Sequence, residues 1–231
     1  RLKWHLALGI PATNYRYHDH VKLAHYADAA CDIEFEFPIG FKELEGIHSR
    51  TDFDLKQHQE FSKKKQQYFD NEVDPATGKP YGNYIPYVIE TSIGLDRMFL
   101  AVLSQSYTSE TLEDGSNRIV LSIPPALAPY KVAVMPLTKK DGLPEKARAI
   151  IDDLKIDFNC QYDEKDTVGK RYRRHDAIGT PFCITIDHDS LDDKAVTIRD
   201  RDSLTQERIP MDQVHAYIAE RVSMGALLRK I

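Results

Sequence analysis

The run from Tyr84 to Leu103 leaves this chain few backbone choices. A strand-like apolar stretch ends in Glu90, Thr91 and Ser92, Gly94 interrupts it, and a second apolar stretch follows at helical spacing. Alternate side chains of an extended segment share a face, so Val88, Glu90 and Ser92 are expected to project together. Leu95, Met98, Phe99, Val102 and Leu103 recur at helical intervals, which predicts one core-facing stripe. Arg97 lies off that stripe, in the first turn. A cation there opposes the helix dipole, by about 0.3–1 kcal/mol at an exposed site, whereas a bound phosphate reverses the sign. Arg97 therefore either pairs with Asp96 or Glu90 on a surface, or marks an anion pocket.

Three other patterns carry possible chemistry. Residues 31–37 alternate strictly, with Cys31, Ile33, Phe35 and Phe37 on one side and Asp32, Glu34 and Glu36 on the other. After the turn Pro38–Gly40, a paired strand over 41–48 would place Glu43 and Glu45 on one face, about 7 Å apart. Such a pair suits a ligand ammonium or a metal on phosphates, or is a solvated strand edge. Gly46 beside it allows close approach of a ligand to the backbone. Lys170-Arg-Tyr-Arg-Arg-His175 is the one dense basic cluster. Its cations, interleaved with Tyr172 and His175, suit RNA phosphates and unstacked bases. The plainer alternative is a helix whose arginines pair with Asp163, Glu164 or Asp166. His18, His20 and His25 lack metal spacing and read as structural or surface residues. Lys63–Lys65 reads as the solvated face of a helix over 56–69.

With 231 residues the chain holds one large or two ordinary domains. Residues 1–125 carry 13 Lys/Arg against 18 Asp/Glu, and residues 126–231 carry 18 of each. A net charge of −5 gives no basic field, so contact with nucleic acid needs a local patch. No apolar run approaches a membrane span and no signal peptide is visible, so no membrane partner is expected. Cys31, Cys160 and Cys183 are widely separated, as buried thiols in a reducing compartment would be. The opening Arg1-Leu-Lys-Trp-His5 lacks an initiator Met and suggests a longer parent chain.

Helices are expected over 21–30, 144–154, 168–177 and 212–222. Pro124, Pro125 and Pro129 mark a boundary, since three prolines in six residues continue neither helix nor central strand. Beyond it, short apolar strands alternate with helices, which predicts an α/β layer fold with helices on both faces of a mixed sheet. The boundary separates a first domain, residues 1–125, from a second, residues 126–231.

Motif by motif, the chain resembles the glycyl-tRNA synthetases, class II aminoacyl-tRNA synthetases of the dimeric α2 type. The similar segments are Asp32–Gly40 with Glu43–Gly46 and Arg50–Leu55, the run Tyr84–Leu103, the linker Leu121–Pro136, and Gly169–Phe182. The run 84–103 is similar to class II motif 3; motifs 1 and 2 are not found, so a C-terminal fragment is expected. The resemblance implies that 1–125 is part of an antiparallel catalytic domain and 126–231 an anticodon-binding domain. It implies a ligase that makes glycyl-adenylate from ATP, with Mg2+, and glycine, then passes glycyl to the 3′ end of tRNA(Gly), as a cytoplasmic homodimer. It also implies that this fragment alone is inactive. By position, Glu43, Leu44, Gly94, Leu95, Asp96 and Arg97 are implied for ATP, and Glu90, Thr91, Ser92, Ile93 and Gly94 for glycine. Lys170, Arg171, Arg173 and Arg174 are candidate tRNA contacts. No catalytic side chain and no metal ligand is implied, because alignment and charge stabilisation suffice. Two alternatives stay open: a non-catalytic synthetase-like paralogue or accessory subunit that binds RNA or a protein, and a related synthetase for another small amino acid.

Overall fold

The computed structural model describes residues 1–111 and 115–229. A short helix, α1 (Leu2–Ala7), opens the chain, and two compact units follow from its contacts. One unit is Pro11–Ala101; the other is Arg1–Ile10 with Val102–Ile231. This division by packing falls at 101/102, and not at the 125/126 boundary drawn from the prolines.

The unit of residues 11–101 is built on an antiparallel sheet, ordered β1 (Tyr15–Asp19), β2 (Ala29–Phe37), β3 (Gly40–Ser49) and β6 (Ile89–Ile93). Residues 21–28 form no helix, contrary to expectation. Val21 is fully exposed, Tyr26 turns instead to Phe53 and Arg50, and the ladder between β2 and β3 claims the segment from Ala29 onward. Phe35 and Phe37 pack edge to face at 4.9 Å, and Tyr15 meets Phe35 at 5.4 Å. That apolar face, with Ile33, is buried; Asp32 and Glu34 point the other way, as the alternation predicts. Helix α2 (Phe53–Ser62) follows β3, then a hairpin of β4 (Tyr68–Val73) and β5 (Pro80–Tyr84), then β6. Helix α2 is shorter than expected. Lys63 takes a left-handed conformation (φ 58°), which ends the helix and throws Lys63–Lys65 off any helical face.

Helix α3 (Leu95–Ser106) begins directly after Gly94, so the predicted strand–glycine–helix order is present. Its predicted core stripe is not. Leu95 and Phe99 are 81% and 67% exposed, and the buried positions are Ala101 and Ser106.

The other unit contains a hairpin of β7 (Tyr107–Thr111) and β8 (Asn117–Leu121); residues 112–114 between them lie outside the described residues. Its main sheet runs β10 (Cys160–Tyr162), β9 (Val132–Pro136), β11 (Phe182–Ile186), β12 (Ala195–Asp200) and β13 (Gln206–Pro210). The first three strands are parallel, the last two antiparallel to their neighbours. Helices α4 (Leu143–Leu154), α5 (Val168–Ala177) and α7 (Val214–Val222) cover it, with short turns α6 (Asp189–Asp193) and α8 (Met224–Leu228). Strand β9 shows why both faces are filled. Val132 and Val134 point toward Leu143, Ala147 and Leu154 of α4 and Val214, Ile218 and Val222 of α7. Ala133 and Met135 point toward Val168 and Tyr172 of α5. An apolar run with no polar alternate is buried on both sides, as in parallel sheets generally. Each fully buried Val, Leu or Ile there contributes roughly 1.5–3 kcal/mol. Cys31, Cys160 and Cys183 are all free, and burial pushes the Cys183 thiol up to about 12.

Candidate active site

The residues expected to hold ATP and glycine come from β3, β6 and the start of α3, all in the unit 11–101. Strands β3 and β6 pair with Gly46 opposite Ser92 and His48 opposite Glu90, so these four share a face. Between β2 and β3 the register shifts: Ile33 faces Glu45, but Glu34 faces Glu43, which leaves Leu44 as an extra residue. This bulge corrects the expected geometry of the two glutamates. Glu45 turns to the apolar face and is fully buried, whereas Glu43 joins the polar face beside Glu34 and remains half exposed. Leu44 is buried, so its implied contact with ATP could run only through its backbone.

The polar face is a set of acid–base pairs. Arg97 Nη1 donates to the backbone oxygen of Glu43 at 2.7 Å and lies 3.4 Å from its carboxylate. Arg97 thus meets neither Asp96 nor Glu90, the partners considered from sequence. Glu90 accepts from Arg50 Nη1, whose Nε and Nη2 hold Asp54 at 2.6 and 3.1 Å. The Arg50 guanidinium also lies over the Tyr26 ring, 4.1 Å from its centroid. Arg50 keeps the Asp54 carboxyl below its usual range, chiefly by direct hydrogen bonding. Glu34 is likewise lowered, first by its bond from Arg16 and then by His18. His20 bonds Asp32 at 2.8 Å, and a Cβ built on Gly46 would sit 3.1 Å from the His48 ring. His25 stands apart, edge-on to Phe53.

Thr91, Ser92, Ile93, Gly94, Leu95 and Asp96 are exposed along the edge that β6 and α3 present. The structure therefore brings Glu43 to Arg97 and sets Glu90 and Ser92 on the same face. Arg50 is the functional candidate that residue-by-residue reasoning did not single out. Its signal was available in Arg50-Thr-Asp-Phe-Asp54, where the i, i+4 spacing from Arg50 to Asp54 fits a helix entry. Chemically, the face offers carboxylates for an ammonium and arginines for phosphate or a planar base. Among the described residues no group of three or more His, Cys, Asp or Glu could hold a metal ion. A Mg2+ that keeps its waters and arrives on a nucleotide needs only one or two carboxylates.

The basic cluster on α5 divides into two kinds of residue. Arg171 is 3% exposed; its guanidinium donates to the backbone oxygens of Pro136, Asp166 and Lys165 and ties α5 to the end of β9. Arg174 bonds Asp163 and Asp166, the pairing weighed as the plainer alternative. Burial works to raise the Asp163 carboxyl, but the Lys165 amide and Arg174 outweigh it, so it lies below its usual value. Tyr172 bonds Thr185 at 2.8 Å and His175 is fully buried, so neither ring is free to stack on a base. Lys170 and Arg173 are the exposed members, and Arg173 reaches Ser116 at 3.1 Å. The expected four-residue surface is thus corrected to two exposed cations.

Residues 131–221, which include the mixed sheet of β9–β13 and α5, match the family described as Anticodon binding domain. In fold, the chain is similar to the RNA-binding domain of threonyl-tRNA synthetase from Cryptosporidium parvum, with a TM-score of 0.59 at 19% identity, covering 86% of this chain and 44% of that one. By sequence, the chain is similar to glycine–tRNA ligases. It is 50% identical over 217 residues to that of Borrelia hermsii, covering 93% of this chain and 48% of the relative. It is 49% identical over 223 residues to that of Chlorobaculum tepidum, covering 96% and 46%. The chain therefore spans about half the length of the curated relatives it matches.

Proposed function

We propose that this chain serves a glycine–tRNA ligase, supplying one side of the aminoacyl-adenylate site and the module that engages tRNA(Gly). The observation that carries this reading is the shared polar face of β3 and β6, where Glu90 and Ser92 stand opposite His48 and Gly46, with Glu43 and Arg97 at its end. The Glu90 carboxylate would hold the glycine ammonium, and the Ser92 hydroxyl would add a hydrogen bond. Arg97, already tethered to the backbone of Glu43, would rest against the adenine or a phosphate of ATP. ATP enters as substrate, its Mg2+ neutralising phosphate charge while these groups align the glycine carboxylate for attack on the α-phosphate. Glycine is selected by exclusion, because a small pocket rejects every bulkier competitor by clash. Cytoplasmic location and a homodimer belong to the same reading, as the motif resemblance implies.

Glycine-dependent exchange of pyrophosphate into ATP tests it, using the parent protein with Glu90→Gln. The variant should lose about 100-fold or more in exchange, with its unfolding midpoint unchanged. Undiminished exchange would remove Glu90 from the glycine site. The 231-residue chain by itself should show no appreciable exchange.

A further inference from the structure

Lys63–Lys65 occupies a setting that none of the roles above requires. Because α2 stops at Ser62, these lysines lie on an irregular segment between α2 and β4, pinned to the helix they leave. Ser62 Oγ accepts from the Lys64 amide, and Gln59 Oε1 accepts from the Gln66 amide at 3.0 Å. The segment walls an open groove of about 670 Å³, lined by Lys56, Lys63 and Lys65 with Gln57, Gln59 and Gln67. Glu60 is the one acid in that lining, and Asp52 engages Lys56 at 2.6 Å. Among the described residues no ion pair involves Lys63, Lys64 or Lys65.

The segment leads straight into a hairpin with exposed rings. Tyr68 and Tyr84 are paired across β4 and β5 on one face, with ring centroids 6.0 Å apart, and Phe69 lies on the other face. Tyr68 and Phe69 are 57% and 58% exposed, and Tyr81, Tyr84 and Tyr87 are exposed too. Asp70, Glu72 and Asp74 lie farther along toward the hairpin tip. Charge thus grades from cationic at the groove to acidic at the tip, and the tyrosine pair stands between.

We propose that this groove and the tyrosine pair at the foot of the β4–β5 hairpin bind single-stranded RNA, with phosphates along the lysines and bases against the rings. Lysine-lined grooves interleaved with aromatic faces hold unpaired strands because phosphate attraction is sequence-blind and every base has a stackable face. A paired duplex keeps its bases from the rings, and the acidic tip limits how far a polyanion can extend. The site itself is independent of the ligase assignment. That the natural strand is the unpaired end of a tRNA rests on that assignment.

The test measures fluorescence anisotropy of a short labelled single strand on the full chain as a function of salt. Lys63→Ala with Lys65→Ala should weaken binding and reduce the magnitude of the log–log salt slope by about 1.4, for two lost phosphate contacts. Tyr68→Ala with Tyr84→Ala should weaken binding roughly 5- to 100-fold with the slope unchanged, and Tyr68→Phe with Tyr84→Phe should bind as the parent does. Because the anticodon-type domain offers a second place for RNA, a 4-thiouridine strand is photo-crosslinked and mapped by mass spectrometry. Crosslinks within 63–69 or 81–87 support the site. Crosslinks confined to 131–221, unchanged slopes in the lysine variant, or equal loss of duplex binding in the alanine variant would overturn it. Should the alanine pair disturb the hairpin, the surface lysine variant and the crosslink map still decide. None of these readouts uses glycine activation, so failure of the ligase reading leaves its own separate trace.

Discussion

The two units use the same kinds of charged residue in opposite ways. Beside the sheet of β9–β13, Asp176 of α5 is fully buried and held by Arg118 of β8 and Arg199 of β12, both nearly buried, with Nη1 and Nη2 of Arg199 at 2.8 and 3.0 Å. Arg201, also buried, donates to the backbone oxygens of Gly179 and Ile123. These cations are scaffold: they satisfy buried carbonyls and the buried Asp176 carboxylate, while Arg118 and Arg201 also reach the half-exposed Glu110 and Asp202. On the sheet of β1, β2, β3 and β6 the pairs Arg97–Glu43 and Arg50–Glu90 are partly solvated. Water competes for every partner there, so such pairs contribute little to stability and can open for a ligand. A buried network fixes one conformation; an exposed one can exchange partners.

The contrast breaks first at Asp176. Asp176→Ala should destabilise the chain by about 3–5 kcal/mol, since Arg199 would be left buried without a carboxylate and Arg118 would keep only the half-exposed Glu110. Denaturant unfolding measures it, and a loss comparable to a surface mutation would show that water enters the site. Next is Gly179, at φ +83° with its would-be Cβ 3.1 Å from the Leu121 oxygen. Gly179→Ala should cost about 2 kcal/mol, combining left-handed strain with a backbone clash. Arg171→Ala should follow at about 1–3 kcal/mol, from carbonyls losing their buried donor. It should leave the salt slope of tRNA binding alone, whereas Lys170→Ala should flatten it by about 0.7–0.9.

A pH titration sharpens the same contrast. Burial lowers the pKa of His175 despite the pull of Asp163, 3.3 Å away. The unfolded chain therefore binds a proton near pH 6.5 that the folded chain refuses. Stability from this group is fully present above that pH and is lost as pH falls from about 6.5 through the lower folded value. His175→Gln should flatten this part of the stability curve. The smallest effect belongs to the open face: Arg97→Ala should leave the unfolding midpoint essentially in place, while glycine-dependent exchange by the parent protein falls.

Much of this architecture can be read from single residues. Gly94 announces the break between β6 and α3, the alternation of Cys31–Phe37 gives the inside and outside of β2, and Val132–Met135 reads as doubly buried. What failed to show is whatever depends on partners distant in sequence. Leu44 looks like one more alternating apolar residue, and only pairing with Ile33 and Glu34 makes it surplus. Arg171 looks like any arginine of a basic run, and only the nearby Pro136 and Asp166 oxygens show that it is internal. The spacing in 21–30 is helical on paper, but pairing with β3 draws Ala29 and Ala30 into a strand. The same holds for the site. Glu90, Ser92 and Arg97 were legible as a local motif, whereas the pairing of Glu43 with Arg97, and of Arg50 with Glu90, links residues 54 and 40 positions apart.

The surplus Leu44 also sets a counting rule for variation in this stretch. Upstream and downstream of it, odd and even positions have traded sides. Dropping or adding one residue between Phe41 and Gly46 would therefore march Glu43 into the hydrocarbon interior or swing Glu45 out to water. Length changes here should be tolerated only in compensating pairs, while the turn at 74–79, which serves no such parity, is free to grow or shrink.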